Sequence, residues 1–227
     1  MSGTLFPPQM YYDLLNVPEG RVSIVKEYTS HFLAERRPVL IAKDVTSRYA
    51  ERGEENTARI RKHIHSVLRE TPGHVAVFAP SYAMLEQIVL EDEDWAVRRR
   101  HLLEERSGAS KEQMDRMVDR LHQLRRSKTP ALLAGVLGGK LAEGVDYPDN
   151  ILDAVICIGL PLPPPSARQD ALKDYYEDAY GSARAWRYAS SQPAVNRLMQ
   201  ALGRPIRKAA DRALVVLLEK RLMQRGF

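Results

Sequence analysis

The stretch Ala154-Val-Ile-Cys-Ile-Gly159 is an almost uninterrupted apolar run, rich in β-branched residues. Four similar runs recur along the chain: Val39-Leu-Ile41, His74-Val-Ala-Val-Phe78, Ala131-Leu-Leu133 and Ala213-Leu-Val-Val-Leu-Leu218. Continuous rather than alternating apolar runs are typical of parallel strands that helices cover on both faces. The five runs therefore predict a parallel sheet, and Val22-Ser-Ile-Val25 and His101-Leu-Leu103 are two further candidate strands.

Helical patterns separate these runs. Residues 54–69 carry Ile60, Ile64, Val67 and Leu68 at helical spacing. Ser110-Lys-Glu-Gln113 has the pattern of a capping box, which predicts a helix start at Ser110. Further helices are predicted over 82–90, 167–181 and 184–202. Strands that alternate with helices indicate one α/β domain over 1–227, with a possible helical elaboration over 90–128.

The composition excludes several classes of protein. Hydrophobic residues make up 44% and charged residues 28% of the chain, which is ordinary for a globular domain. Apolar runs fall short of the roughly 20 residues that cross a bilayer, and Pro7, Pro8 and Asp13 interrupt any signal peptide. The single cysteine, Cys157, rules out an internal disulfide or a multi-cysteine metal site. We therefore expect a cytoplasmic protein with no metal site and no membrane contact.

Basic charge is concentrated in two segments. Residues 95–128 hold ten Lys/Arg against five Asp/Glu, and residues 184–225 hold ten against two. Clustered positive charge suits a polyanionic partner such as a nucleotide or a nucleic acid, although solubility alone also explains a basic protein.

The second basic segment contains Gln200-Ala-Leu-Gly-Arg-Pro-Ile-Arg207. A guanidinium offers planar, bidentate donors that suit phosphate. Pro205 predicts that the preceding helix ends or kinks near Gly203. The alternative is structural: the two arginines form salt bridges with Asp211 or Glu143.

A glycine-rich segment, Gly138-Gly-Lys-Leu-Ala-Glu-Gly-Val-Asp146, follows one of the predicted strands. Its glycines let the backbone approach a phosphate or sugar, and Lys140 adds a cation. Alone, such a segment is more often a plain turn.

These segments resemble characteristic motifs of the XPD-type superfamily 2 helicases. The arginine segment resembles motif VI, and Glu143-Gly-Val-Asp146 resembles motif V. Other matching segments are Ser2-Gly-Thr-Leu5, Phe78-Ala-Pro-Ser-Tyr82, Leu85-Glu-Gln87, Tyr175-Tyr176, Tyr180-Gly181, Trp186-Arg-Tyr188 and Asp211-Arg212. They follow the family's order over nearly the whole chain.

The resemblance implies a RecA-like fold, here without its own phosphate-binding Gly-x-x-x-x-Gly-Lys-Ser/Thr loop. The chain resembles only the second, C-terminal motor domain, and Met1 directly before the hinge-like Ser2-Gly-Thr-Leu5 suggests a piece of a longer protein. ATP, Mg²⁺ and an iron–sulfur cluster would then be held mainly by an absent N-terminal helicase domain. The isolated chain is expected to be inactive.

Residue roles carry over from the family motif by motif. Arg204 and Arg207, helped by Gln200, would be catalytic. Nucleotide contacts would come from Glu143, Gly144, Asp146 and Gly203. Single-stranded DNA would meet Ser81, Tyr82, Lys140, Trp186, Arg187 and Tyr188 during 5′-to-3′ translocation. Repair-complex proteins are possible partners. The alternative is a docking module without enzymatic activity.

Overall fold

The computed structural model describes residues 6–18, 20–30 and 32–224, and the predicted hinge segment at residues 2–5 lies outside them. Within them lies a fully parallel six-stranded sheet in the order β1-β6-β5-β2-β4-β3. The strands are β1 Val39–Ile41, β2 Val75–Ala79, β3 His101–Glu104, β4 Ala131–Val136, β5 Ala154–Ile158 and β6 Leu214–Leu218. The five principal strand predictions and the candidate at His101 are confirmed.

Helices connect the strands. They are α1 Pro8–Leu14, α2 Glu54–Glu70, α3 Tyr82–Leu85, α4 Trp95–Arg98, α5 Lys111–Arg126, α6 Ala167–Tyr180, α7 Ser182–Trp186 and α8 Gln192–Leu202. π-Helical turns extend α3 over Glu86–Leu90, form Lys140–Gly144, and join α7 to α8 over Arg187–Ser191. Short 3-10 turns lie at Ala34–Arg36, Tyr49–Glu51 and Lys220–Met223.

The core has two layers, one on each face of the sheet. Successive strand residues alternate between them, so Phe78 and Val155 face one layer while Val77 and Ile156 face the other. Helices α5 and α8 cover the first face, and α2 and α3 cover the second. This arrangement explains why the strands read as continuous apolar runs.

Two local expectations have different outcomes. The capping box forms as predicted, because Ser110 Oγ accepts from the Gln113 amide and the Gln113 side chain accepts from the Ser110 amide. The strand predicted at residues 22–25 is wrong: this segment is exposed and belongs to no sheet. Residues 90–128 contribute helices α4 and α5 and the edge strand β3.

None of the described helices is long and apolar enough to span a bilayer. In the same ranges of residues, no group of three or more His, Cys, Asp or Glu side chains is arranged to hold a metal ion.

Candidate functional site

The site is built from two loops that the fold brings together. The first, residues 137–153, leaves the carboxyl end of β4, makes the π-turn Lys140–Gly144 and returns to the start of β5. The second, residues 203–213, joins α8 to β6. The helix α8 ends at Leu202 with Gly203 as its C-cap, as Pro205 predicted. We call residues 137–153 the glycine loop and residues 203–213 the arginine loop.

Arg204 locks the arginine loop onto the glycine loop. Its Nε, Nη1 and Nη2 atoms donate to the carbonyl oxygens of Ala142, Val145 and Glu143 respectively, each at 2.7 Å. Burial, together with the neighbouring charge of Arg207, lowers the pKa of Arg204. Each guanidinium nitrogen thus makes one hydrogen bond to the glycine loop, and Nη1 and Nη2 each keep a second N–H. These three acceptors are backbone carbonyls of the glycine loop, which neither sequence interpretation anticipated.

Arg207 is placed differently. Its Nε lies 2.8 Å from Asp146 Oδ1, and the two side chains are 40% and 73% exposed. An exposed ion pair of this kind contributes about 1 kcal/mol or less to stability, so exchange of Asp146 for a stronger anion costs little. Arg207 is therefore held in place and remains accessible to a ligand.

Two further side chains fix the backbone that carries Arg207. Asp211 Oδ2 accepts from the amides of Arg207 and Lys208 at 2.8 and 2.7 Å. Asn150 accepts from the Arg212 amide at 2.9 Å and donates to the carbonyls of Arg212 and Pro205 at 2.9 and 3.2 Å. Asp211 is thus a turn-forming residue and not the salt-bridge partner that the alternative interpretation required.

The glycines of the two loops differ in how much room they leave for a side chain. A Cβ atom on Gly144 or Gly203 would meet its nearest neighbours at 3.7 and 3.5 Å, which is ordinary contact. On Gly139 it would lie 2.6 Å from the Glu105 carboxylate, and Gly138 has a φ of +83°. The fold therefore requires Gly138 and Gly139, whereas a small side chain would fit at Gly144 and Gly203 without a clash.

Sequence reasoning missed Glu105. This carboxylate follows β3, is 2% exposed, and accepts from the Lys140 amide at 2.7 Å and the Val136 amide at 3.4 Å. It fixes the turn that begins the glycine loop. The Lys140 ammonium donates to the carbonyl of Ala109. The available signal was the pair Glu104-Glu105 after an apolar run, but the burial of Glu105 beside the glycine loop follows only from the sheet order.

Ser81 and Tyr82 lie beyond the carboxyl end of β2 and begin α3. Ser81 is the N-cap, with Oγ accepting from the Met84 amide at 3.3 Å. Tyr82 is 37% exposed, and burial together with the Glu105 carboxylate raises the pKa of its hydroxyl. Both residues thus lie on the edge of the sheet where the glycine loop starts.

The remaining predicted contacts lie near α7. Trp186 is 50% exposed and Arg187 is exposed. Tyr188 is only 6% exposed, packs against Tyr176 and Tyr180, and donates its hydroxyl hydrogen to Asp13. Its ring is therefore mostly covered, which speaks against the base stacking expected of this residue.

Glu143 lies in the glycine loop, and Gln200 lies in α8 just before the arginine loop. Burial raises the pKa of Glu143, and the nearby Arg197 and Arg204 oppose that rise. Gln200 lies in the last turn of α8, where its carbonyl accepts from the Gly203 amide at 3.2 Å. Both residues thus border the junction of the loops.

π-Helical turns are rare and often occur at functional sites. The three turns among the described residues extend the helix of Tyr82, form part of the glycine loop, and follow Trp186. Each therefore coincides with one segment that the sequence assigned to nucleic-acid contact.

An iron–sulfur cluster does not fit the residues of this chain. Cys157 is its only cysteine, and it lies 1% exposed in β5. Burial raises the pKa of the thiol, which disfavours the thiolate that a cluster requires.

Comparison with known proteins agrees with this geometry. The profile of the "Helicase C-terminal domain" family matches residues 64–227. A "Regulator of telomere elongation helicase 1 homolog" from Drosophila yakuba is 33% identical over 171 residues, covering 70% of this chain and 17% of its own length. "ATP-dependent DNA helicase XPD" from Sulfolobus acidocaldarius is 25% identical, covering 97% of this chain and 38% of its own length.

A solved structure titled "XPD_Helicase" superposes on 83% of this chain with a TM-score of 0.65 and 25% sequence identity, and the match covers 32% of that structure. The chain thus spans well under half the length of these relatives. With the family profile covering most of the sequence and the parallel sheet superposing on an XPD helicase, the chain belongs to the helicase C-terminal domain family, as a second motor domain of the XPD type.

Proposed function

We propose that this chain is the C-terminal motor domain of an ATP-dependent DNA helicase that moves 5′-to-3′ on single-stranded DNA. Curated relatives carry the names of ATP-dependent and telomere-elongation helicases, which supports the class of reaction. ATP and Mg²⁺ would be bound mainly by the N-terminal helicase domain of the same protein, because this sequence has no phosphate-binding loop.

The exposed guanidinium of Arg207 carries the proposal. Phosphoryl transfer needs stabilisation of charge on the transferred phosphate more than covalent help, and an arginine supplied across a domain interface provides it. Arg207 is accessible, and only a solvent-exposed pair with Asp146 has to open before it meets a phosphate. Asp211 and Asn150 hold its backbone, so little backbone entropy is lost when it engages a phosphate.

Arg204 has a supporting role in this proposal. Its three hydrogen bonds to the glycine loop keep Arg207 and Asp146 at a fixed spacing. Glu143, Gly144, Gly203 and Gln200 would contact the nucleotide from the two sides of the junction of the loops. Arg204 therefore acts on the reaction through the position of other residues.

Single-stranded DNA would lie along the carboxyl edge of the sheet. Ser81, Tyr82 and Lys140 follow β2 and β4 there, and Trp186 and Arg187 are exposed near α7. Closure of the two motor domains on ATP and their opening after hydrolysis would move this edge along the strand.

The test replaces Arg207 by alanine in the complete enzyme. We expect DNA-stimulated ATP turnover to fall by about 10³-fold or more, as for other arginine fingers, with single-stranded DNA binding nearly unchanged. Lys208→Ala is the matched control, because it removes the adjacent exposed cation, which pairs with Asp149 at 3.3 Å. Turnover within a few-fold of wild type in the Arg207 variant would refute the role of Arg207.

The second candidate function is a docking module for nucleic acid or for repair-complex proteins. The lack of a phosphate-binding loop in this sequence favours it. A complete protein that folds and binds DNA but never hydrolyses ATP would support this candidate over the helicase.

A further inference from the structure

Strand β3, His101–Glu104, is an edge of the sheet: it pairs with β4 on one side and ends the strand order. The amides of His101 and Glu105 donate toward β4, with donor–acceptor distances of 3.0 and 2.8 Å. Alternate residues of a strand direct their main-chain groups to opposite sides, so the amides and carbonyls of Leu102 and Glu104 point away from β4. β3 therefore presents main-chain donors and acceptors that no other strand of the described sheet uses.

An open groove of about 690 Å³ lies beside this edge, between β3 and the first half of α5. Its apolar lining comes from Leu102, Leu103, Ala109 and Met117, and Leu102 is 39% exposed. The volume is within the range that bound ligands commonly occupy. The free edge of β3 thus has room beside it for the side chains of an added strand.

The charge of the groove is mainly positive. Arg106 and Arg116 are both exposed in its lining. Glu104 is the one carboxylate among the described lining residues, and its Oε1 lies 4.0 Å from Arg106 Nε. Both arginines belong to the basic segment 95–128, which the proposed helicase function does not explain. An acidic occupant is therefore favoured over a basic one.

We propose that the groove along β3 binds an extended, acidic segment of a partner protein, which adds to the sheet as a seventh strand. Main-chain donors and acceptors at regular spacing are matched by another extended polypeptide, and alternate apolar side chains of that segment would enter the groove. Acidic side chains at its ends would meet Arg106 and Arg116. A nucleic acid has no main-chain amides and carbonyls with which to continue a sheet.

The groove borders the glycine loop. The Lys140 ammonium donates to the carbonyl of Ala109, which lines the groove. Glu105, directly after β3, accepts from the Lys140 amide at 2.7 Å. None of the described lining residues is among those assigned above to nucleotide or DNA. A bound segment would therefore lie next to the proposed motor site without occupying it, and this inference can be tested separately from the helicase proposal.

The first test measures binding of a fluorescein-labelled peptide, Asp-Asp-Val-Thr-Val-Thr-Val-Asp-Asp, to the complete protein by fluorescence anisotropy. A peptide with lysine in place of each aspartate should bind about tenfold more weakly or worse. Arg116→Glu should raise the Kd of the acidic peptide about fivefold or more. Arg120→Glu is the matched control: Arg120 is exposed one turn further along α5, outside the groove lining, and its replacement should change the Kd by less than about twofold.

The second test examines the added strand itself by hydrogen exchange. Binding of the acidic peptide should slow exchange of the Leu102 and Glu104 amides about tenfold or more. Leu102→Pro removes one outward donor and should raise the Kd about tenfold, and proline is tolerated where an edge amide faces solvent. Should that variant fail to fold, two N-methylated peptides replace it. One is methylated at all valines and the other at both threonines, and one of them should lose binding while the other keeps it, because alternate amides face the edge.

The outcomes either support or overturn the partner site. Slowed exchange at β3 together with weaker binding in Arg116→Glu supports it. A peptide that binds without slowing exchange there, or a lysine peptide that binds equally well, overturns it. If an oligothymidylate slows the same amides, the groove belongs to nucleic acid and the proposal is refuted. If these amides already exchange slowly in the complete protein alone, another part of the same chain covers the edge, and the partner is refuted. None of these results depends on ATP turnover or on Arg207.

Discussion

The three hydrogen bonds from Arg204 to the glycine loop allow the stability loss of an Arg204 variant to be predicted. Replacing it by lysine keeps the charge but leaves one donor group where the guanidinium engages three carbonyls. A hydrogen bond to a charged group contributes roughly 1.5–3 kcal/mol, and the side chain is only partly buried, so we use the lower end for two lost bonds. The variant should therefore lose about 3 kcal/mol of unfolding free energy.

Urea unfolding followed by circular dichroism measures this loss. The midpoint should fall with an unchanged slope, and a thermal scan should show a Tm lower by about 6–12 °C. Arg207→Lys is the matched control: its pair with Asp146 is solvent-exposed, so the expected loss is below about 1 kcal/mol. Equal losses in the two variants, or a loss below about 0.5 kcal/mol in Arg204→Lys, would refute the reasoning.

Two other predictions concern Glu219 and Gly203. Burial alone would raise the pKa of Glu219, but hydrogen bonds from Arg221, Ser47 and Thr46 outweigh it and lower the value from 4.5 to about 2. Its contribution to stability should be complete above pH 4.5 and disappear as the pH falls toward 2, and Glu219→Gln should remove this part of the acid unfolding curve. Gly203→Ala should change the free energy of unfolding by less than about 1 kcal/mol, because its Cβ meets neighbours only at 3.5 Å. A nucleotide that passes close to Gly203 would still make this variant turn over ATP more slowly in the complete enzyme, and normal turnover would contradict that approach.

Sequence patterns predicted the strands because the central strands β2, β4, β5 and β6 are buried on both faces, so nearly all their residues are apolar. Ser110 and Gln113 were equally readable, since both hydrogen bonds of the box are local. The segment at residues 22–25 shows the limit of such patterns. β-Branched residues favour an extended backbone, but strand formation also needs a neighbour to pair with, and residues 22–25 have none in the sheet.

The sequence predicted which residues belong to the candidate site but not which atoms they bind. The motifs placed Arg204 and Arg207 together, but the partner of each depended on the tertiary fold. Arg204 binds backbone carbonyls, which every residue possesses and which therefore leave no trace in a sequence. Tyr188 and Trp186 are two positions apart and both aromatic, yet the structure buries the first and exposes the second.

The hydrogen bonds of Arg204 couple the movements of the two loops. Arg204 follows α8 by two residues and makes three short hydrogen bonds to the glycine loop. A rotation of α8 should therefore displace the glycine loop as well. The π-turn of that loop begins at Lys140, whose amide donates to the buried Glu105 at the edge of the sheet. In the proposed motor domain, we therefore expect a displacement of the arginine loop to be passed on to the glycine loop and, through Lys140 and Glu105, to the edge of the sheet.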